Sequence, residues 1–140
     1  MTKYWILVAP KDHVMQGMTS SFAQAWHGKS NPMRRLNKGD GIIYYSPKLK
    51  GGDDKGYQCF TALGCVIGDK YYQVELSADK KTHRRDVKYL SARDVKIKPL
   101  IDHLSFIDDK TRWGSVFKYD IIQISEKDFK LIATAMNMAK

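Results

Sequence analysis

The sequence of 140 residues contains no apolar run near the roughly 18 residues that a membrane-spanning helix requires. Residues 1–5 (MTKYW) lack the charged, apolar and small-residue regions of a secretory signal. We therefore expect a cytoplasmic protein with no membrane partner. Hydrophobic residues make up 43% of the chain and aromatic residues 11%, which favours one folded domain over residues 1–140.

Cysteine is scarce as well, and its spacing argues against two common kinds of site. Cys59 and Cys65 are six residues apart in one predicted strand, so a distance of about 20 Å separates them. That distance is beyond the reach of a disulfide. There is no Cys-x-x-Cys pair, and the four histidines do not have the spacing of metal ligands. The sequence predicts two small buried thiols and neither a metal nor another cofactor.

Local motifs for catalysis are also missing. No serine lies in a Gly-x-Ser-x-Gly turn, and no glycine-rich phosphate loop follows a predicted strand. The glycines of residues 51–56 (GGDDKG) precede charged residues rather than a helix. We predict that the protein is not an enzyme, with an enzyme that processes RNA or a nucleotide as the alternative.

Positive charge is abundant, and it is unevenly distributed. Residues 29–50 contain six basic side chains and one acidic side chain, and residues 80–88 contain five and one. These two windows together account for the whole net charge of +9. Such concentration favours a polyanionic partner, nucleic acid first. Solvated lysines that only confer solubility are the alternative.

Hydrophobic patterning predicts an α+β domain, a small mixed barrel with two or three helices outside it. A short helix is expected after Pro10 with Asp12 as its cap, and a longer helix after Ser125, where Asp128 completes a capping box. A helical turn is expected at Pro99–Leu104. The predicted strands are Tyr4–Ala9, Ile42–Ser46, Tyr57–Ile67, Tyr71–Ser77, Asp86–Leu90, Val95–Ile97 and Ile121–Ile124.

The segment FAQAWHGK, residues 22–29, has the composition of a pocket wall. A site for a flat base needs aromatic faces for stacking and polar groups that recognise the base edge. Phe22 and Trp26 would supply the faces, and Gln24 and His27 the polar groups. The alternative is that these rings only cover the core.

Three further aromatic positions bear on this hypothesis. Tyr45 and Ser46 form an aromatic–hydroxyl pair at the end of a predicted strand. Trp113 lies in a predicted loop beside Arg112, where it would either plug the core or line a pocket. Trp5 lies within an apolar strand and is predicted to be core.

Four segments together resemble the EVE domain family: YWILVAPKDHV, FAQAWHGK, RRLNKGDGIIYYSPK and PLIDHLSFIDDKTRWG. The resemblance covers most of the chain in this order. It implies a PUA-like fold, a small β-barrel flanked by helices, and a relationship to the YTH readers of methylated adenine in RNA. The implied role is to bind a modified base, a cytosine or an adenine, between barrel and helices.

The resemblance also suggests positions for the pocket. The residues after the first strand, Ala9 to His13, match the part of the YTH pattern that recognises the base edge, although of these only His13 has a suitable side chain. Phe22 falls near a pocket aromatic. A second aromatic is left open between Trp26, Tyr72 and Trp113.

Together these observations predict a non-catalytic module that recognises a modified, flipped-out base in DNA or RNA. A small-molecule binder is a further alternative. We expect no fused effector domain, so such a role would require a separate effector protein, and no oligomeric state is predicted. The predicted contacts to the nucleic-acid backbone are Lys29, Arg34, Arg35, Arg84 and Arg85.

Overall fold

The computed structural model describes residues 2–24, 30–50 and 56–138. Within these ranges the chain forms one mixed sheet with three α-helices. The strands are β1 Tyr4–Val8, β2 Phe22–Gln24, β3 Gly41–Ser46, β4 Cys59–Val66, β5 Tyr72–Ser77, β6 Lys80–Tyr89, β7 Val95–Lys96 and β8 Ile121–Ile124. The helices are α1 Lys11–Ser20, α2 Ser30–Arg35 and α3 Glu126–Met138, with 3-10 helices at Lys98–His103 and Lys110–Lys118.

The strands follow the order β2-β6-β4-β3-β1-β8, and β5 and β7 pair with β6 and β4 respectively. β1 and β3 are parallel, whereas the other pairs are antiparallel. The α+β prediction is confirmed. The barrel is not closed, because within the described residues β2 and β8 remain at opposite ends of the hydrogen-bonded path.

Alternation along β1 and β3 produces two cores, one on each face of the sheet. Trp5, Leu7, Ile42 and Tyr44 belong to the first core, which α1 and α2 cover through Val14 and Met33. The second core contains the alternate residues of these strands, including Ile6 and Tyr45, and α3 covers it. The continuous apolar pattern of β1 therefore reflects a strand buried on both faces.

The two longer helices begin differently. Ser125 caps α3, since its hydroxyl accepts a hydrogen bond from the backbone N–H of Asp128 at 3.1 Å. The predicted cap of α1 is wrong: Asp12 lies inside the helix, which begins at Lys11 after Pro10. Proline suits this position because its fixed φ leads into the helix.

The hairpin of β5 and β6 differs most from the sequence pattern. Tyr72, Val74 and Leu76 alternate as an inward face would, yet Tyr72 is 40% exposed and Leu76 is 52% exposed. β6 is longer than the predicted Asp86–Leu90 strand and begins at Lys80. The alternation therefore marks one side of an exposed ribbon rather than a core-facing strand.

A close backbone approach positions β2 beside α1. A Cβ added at Gly17 would lie 2.4 Å from the carbonyl oxygen of Phe22, so glycine is required at this crossing. Ser21 ends α1 in the left-handed conformation at φ 60°, and its N–H donates to the carbonyl of Gly17. The chain thereby turns directly from α1 into β2.

Candidate nucleic-acid interface

β2 places Phe22 and Gln24 on the same face of the sheet. The strand pairs antiparallel with β6, with Phe22 opposite Asp86 and Gln24 opposite Arg84. Ala23, between them, is fully buried in the first core. Residues directly opposite in an antiparallel pair share a face. Phe22, Gln24 and Arg84 therefore form one group, which we call the β2–β6 face.

The main chain of Gln24 is held by two side chains. The Tyr44 hydroxyl donates to the Gln24 carbonyl at 3.0 Å and accepts from the Gln24 N–H at 3.1 Å. His13 Nε2 lies 3.2 Å from the same carbonyl. A carbonyl can only accept, so Nε2 of His13 must hold the proton of this bond. Gln24 is thus fixed in position by a strand and a helix at once.

Arg84 contacts both other members of the β2–β6 face. Its guanidinium carbon lies 3.9 Å from the centroid of the Phe22 ring, and its Nε donates to Gln24 Oε1 at 2.7 Å. A hydrogen bond to a charged group contributes about 1.5–3 kcal/mol. An exposed cation–π contact contributes about 0.5–1 kcal/mol. The half-buried Arg84 side chain therefore has a preferred position over Phe22.

Tyr72 extends this face on the far side of β6. It is opposite Arg84 in the β5–β6 ladder, and its hydroxyl donates to Asp86 Oδ1 at 2.8 Å. Partial burial, with help from Asp86, raises the pKa of Tyr72 to about 12, so the hydroxyl stays protonated at neutral pH. Of the aromatics left open by the sequence, Tyr72 is on the same face as Phe22.

Burial controls the protonation of His13. Desolvation lowers the pKa of the imidazole below its ordinary value of 6.5, and the positive charge of Arg84 lowers it further. The bond to the Gln24 carbonyl and the charge of Asp12 act in the opposite direction. His13 is therefore neutral at pH 7 and serves as a hydrogen-bond donor rather than a cation.

Other predicted pocket residues lie elsewhere in the molecule. Tyr45 belongs to the second core, where its ring stacks on Phe117 at 4.1 Å. Trp113 packs at the edge of the same core, on the opposite side of the sheet from Ala23. Ser46 is fully buried, and its hydroxyl is 2.7 Å from that of Thr61. Ala9 is buried in the first core. The structure does not bring these four residues to the β2–β6 face.

The basic residues predicted to contact the nucleic-acid backbone are of two kinds, exposed and buried. Arg34 and Arg35 are exposed at the end of α2, and the Arg35 guanidinium lies 5.0 Å from the Trp5 ring. Arg85 is only 5% exposed, and its guanidinium donates to the carbonyls of Gly68, Met33 and Asp69. Arg85 thus fastens α2 and the turn after β4 to β6, which is a structural role.

Three predicted site residues, Trp26, His27 and Lys29, lie outside the described residues. In the part of the chain that the structure describes, no group of three or more His, Cys, Asp or Glu side chains is arranged to hold a metal ion. The described helices include none long and apolar enough to cross a membrane.

Sequence reasoning missed the contribution of Tyr44 and left Tyr72 undecided. Tyr44 is one residue before Tyr45, and strand alternation places only one of the two on the side of β2. The apolar residues around them give no indication of which side that is. Tyr44 could be chosen only if the position of β2 were known, and a strand of three residues has too little pattern to be predicted.

The fold resembles that of YTH domains. A YTH domain-containing protein Mmi1 solved in complex with RNA superposes with a TM-score of 0.65 at 12% identity, covering 99% of this chain and 83% of that chain. The protein Rpa0253 from Rhodopseudomonas palustris gives a TM-score of 0.58 at 15% identity, covering 99% and 96%. The predicted PUA-like, YTH-related fold is thus confirmed.

Among proteins with this fold, sequence comparison identifies the family of the chain. The chain belongs to the EVE domain family, whose model matches residues 3–135. A UPF0310 protein from Mycolicibacterium vanbaalenii is 42% identical over 132 residues, covering 94% of this chain and 91% of that protein. Another from Bacillus licheniformis is 45% identical over 126 residues, covering 90% and 86%. The resemblance seen in the sequence is confirmed.

Proposed function

We propose that this protein is a non-catalytic module that binds RNA and holds one base at the β2–β6 face. The contact of Arg84 with both Phe22 and Gln24 is the observation that carries the proposal. It combines a stacking surface with a fixed amide, the two elements that base recognition needs. Stacking contributes about 1–3 kcal/mol per base.

RNA is the first partner to test because a protein of similar fold has been solved in complex with RNA. DNA is the alternative polyanion. Arg34 and Arg35 support either choice, since they are exposed on α2, next to β6. Such side chains contact phosphates and give binding that weakens as salt rises. Lys29 is included in the proposed backbone contacts on its position in the sequence alone.

A modified, flipped base is the finer part of the proposal. Extrusion of a base costs a few kcal/mol and least in a single strand. We therefore place a methylated cytosine or adenine in single-stranded RNA as the ligand, with His13 and Gln24 near the base edge. A separate effector protein would then act on the marked RNA.

Fluorescence anisotropy at two salt concentrations tests the proposal. The labelled ligands are single-stranded RNA with unmodified, methylated-cytosine or methylated-adenine bases, and matched DNA. Phe22→Leu keeps an apolar side chain but removes the ring, and it should weaken binding about tenfold, within the range of base stacking. Tyr119→Ala is the control, since Tyr119 is 61% exposed and precedes β8, at the other end of the strand order.

The outcomes separate the alternatives. Preference for one modified base supports a reader and identifies its ligand. Equal, salt-sensitive binding of every ligand supports the basic surface and removes the modified base from the proposal. Binding that is unchanged by both Phe22→Leu and Arg34→Ala, or chemical conversion of the RNA during incubation, would overturn the non-catalytic base-binding role.

A further inference from the structure

Arg84 occupies a position that differs from that of an ordinary phosphate contact. Its guanidinium lies over Phe22, with the central carbon 3.9 Å from the ring centroid. The same group donates to Gln24 Oε1 at 2.7 Å. No carboxylate in the described residues forms an ion pair with it. The guanidinium is therefore ordered by an aromatic ring and an amide before any ligand arrives.

This arrangement limits how a base can stack. Phe22 is only 8% exposed, and Arg84 covers its ring. A base that stacked directly on Phe22 would have to displace Arg84 and lose both of its contacts. A base that stacked on the outer side of the guanidinium would keep them. Nucleic-acid bases stack on arginine planes as well as on aromatic rings, so the second arrangement is favoured.

We propose that Arg84 is the stacking platform for the bound base, supported from beneath by Phe22 and held in plane by Gln24. The inference rests on the proposed function and changes the roles of two residues: Arg84 contacts the base and not the phosphate, and Phe22 supports Arg84 instead of contacting the base. Tyr72, opposite Arg84 on β5, is the neighbouring aromatic residue on the same face of the ribbon.

Gln24 sets which edge of the base faces the site. Arg84 has only donors, so the Gln24 atom that it contacts must be the amide oxygen. The amide nitrogen, with two N–H donors, forms no hydrogen bond within the described residues, although Gln24 is only 9% exposed. A base that offers a carbonyl oxygen or an unprotonated ring nitrogen would complete this site. The base therefore stacks with an acceptor edge towards Gln24.

The variant Arg84→Lys separates a platform from a phosphate contact. Lysine keeps the positive charge, but its ammonium group is not planar and gives a base no surface for stacking. We expect Arg84→Lys to weaken binding of a short single-stranded RNA about tenfold, as much as Arg84→Ala does, with an unchanged salt dependence. The matched control, Arg112→Lys at an exposed position of the 3-10 helix Lys110–Lys118, should bind within about twofold of the unaltered protein. Far-UV circular dichroism checks that each variant is folded.

Fluorescence of 2-aminopurine, placed at one position of the same RNA, reports stacking directly. The unaltered protein and Arg112→Lys should quench it, whereas Arg84→Lys should not. The inference is overturned if Arg84→Lys binds and quenches normally, or if Arg84→Ala binds as tightly as the unaltered protein. Either result leaves the proposed function intact. If the unaltered protein binds no RNA, the proposed function fails and the inference fails with it.

Discussion

The hydroxyl of Tyr44 closes a two-way hydrogen bond with Gln24, donating to its carbonyl at 3.0 Å and accepting from its N–H at 3.1 Å. Tyr44 lies on β3 and Gln24 on β2, strands that are not neighbours in the sheet. The buried Tyr44 hydroxyl thus pairs with both the N–H and the carbonyl of Gln24, whose only strand neighbour among the described residues is β6. Burial raises the pKa of Tyr44 far enough that the hydroxyl is always a donor at physiological pH.

Tyr44→Phe removes this link without changing the packing volume. We expect it to lower the free energy of unfolding by about 1–3 kcal/mol, because the buried N–H of Gln24 loses its partner. Urea denaturation measures the change, with Tyr119→Phe at an exposed position as the control. An equal effect of both variants would contradict this account.

The relation between Tyr44 and Gln24 shows where prediction from sequence ends. β8 is predicted with its observed bounds, and the helix α3 is predicted with its cap, because both depend on local patterns. β2 was not predicted as a strand, because its three residues are defined by pairing with β6, about 60 residues later in the chain. Such pairing has no local pattern.

The same limit applied to the candidate site. Phe22, Gln24 and His13 were identified from residue type and resemblance, and the structure places them together. Tyr45, Ser46 and Trp113 were grouped with them because a sequence does not show which face of the sheet a side chain occupies. A bulge between Tyr44 and Tyr45 also shifts the register of β3 against β4.

Arg85 was predicted from the charge pattern to contact nucleic acid, but in the structure its side chain is buried. Its guanidinium donates to three carbonyls from two segments. We expect Arg85→Lys to lower the free energy of unfolding by about 2–3 kcal/mol, since an ammonium cannot reach all three oxygens in the same geometry. The control Arg34→Lys, at an exposed position, should change it by less than about 0.5 kcal/mol. Denaturation in urea distinguishes the two, and a stable Arg85→Lys protein would contradict the structural role.

His13 makes stability depend on pH. Its pKa is lowered in the folded protein, chiefly by burial, so the unfolded chain binds the proton more tightly. Stability is therefore complete above the ordinary pKa of 6.5 and falls as the pH decreases from there towards the folded value. This group contributes a slope of at most about 1.4 kcal/mol per pH unit.

The variant His13→Gln tests that dependence, since its amide can still donate to the Gln24 carbonyl. Unfolding followed by fluorescence at a series of pH values from 7.5 to 5 should show a shallower decline than in the unaltered protein. The exposed His103→Gln is the matched control and should leave the decline unchanged. Parallel curves for His13→Gln and the unaltered protein would show that His13 is not the responsible group.

Thr82 provides a prediction of increased stability. Its hydroxyl is buried, with the residue 1% exposed, and it has no hydrogen-bond partner within the described residues. The side chain is opposite Val74 in the β5–β6 ladder, so a second β-branched apolar side chain suits the position. Thr82→Val replaces the unpaired hydroxyl by a methyl group of the same shape, and we expect it to raise the free energy of unfolding by about 1 kcal/mol.

Thr111→Val is the matched control for that substitution, because the Thr111 hydroxyl is exposed and donates to Asp109 at 2.6 Å. It should leave the free energy of unfolding unchanged or lower it slightly. Urea denaturation of both variants, with equal m-values, measures the difference. If Thr82→Val were the less stable of the two, the Thr82 hydroxyl would have a partner in solution, and the ribbon of β5 and β6 would be held by a polar contact instead of by packing alone.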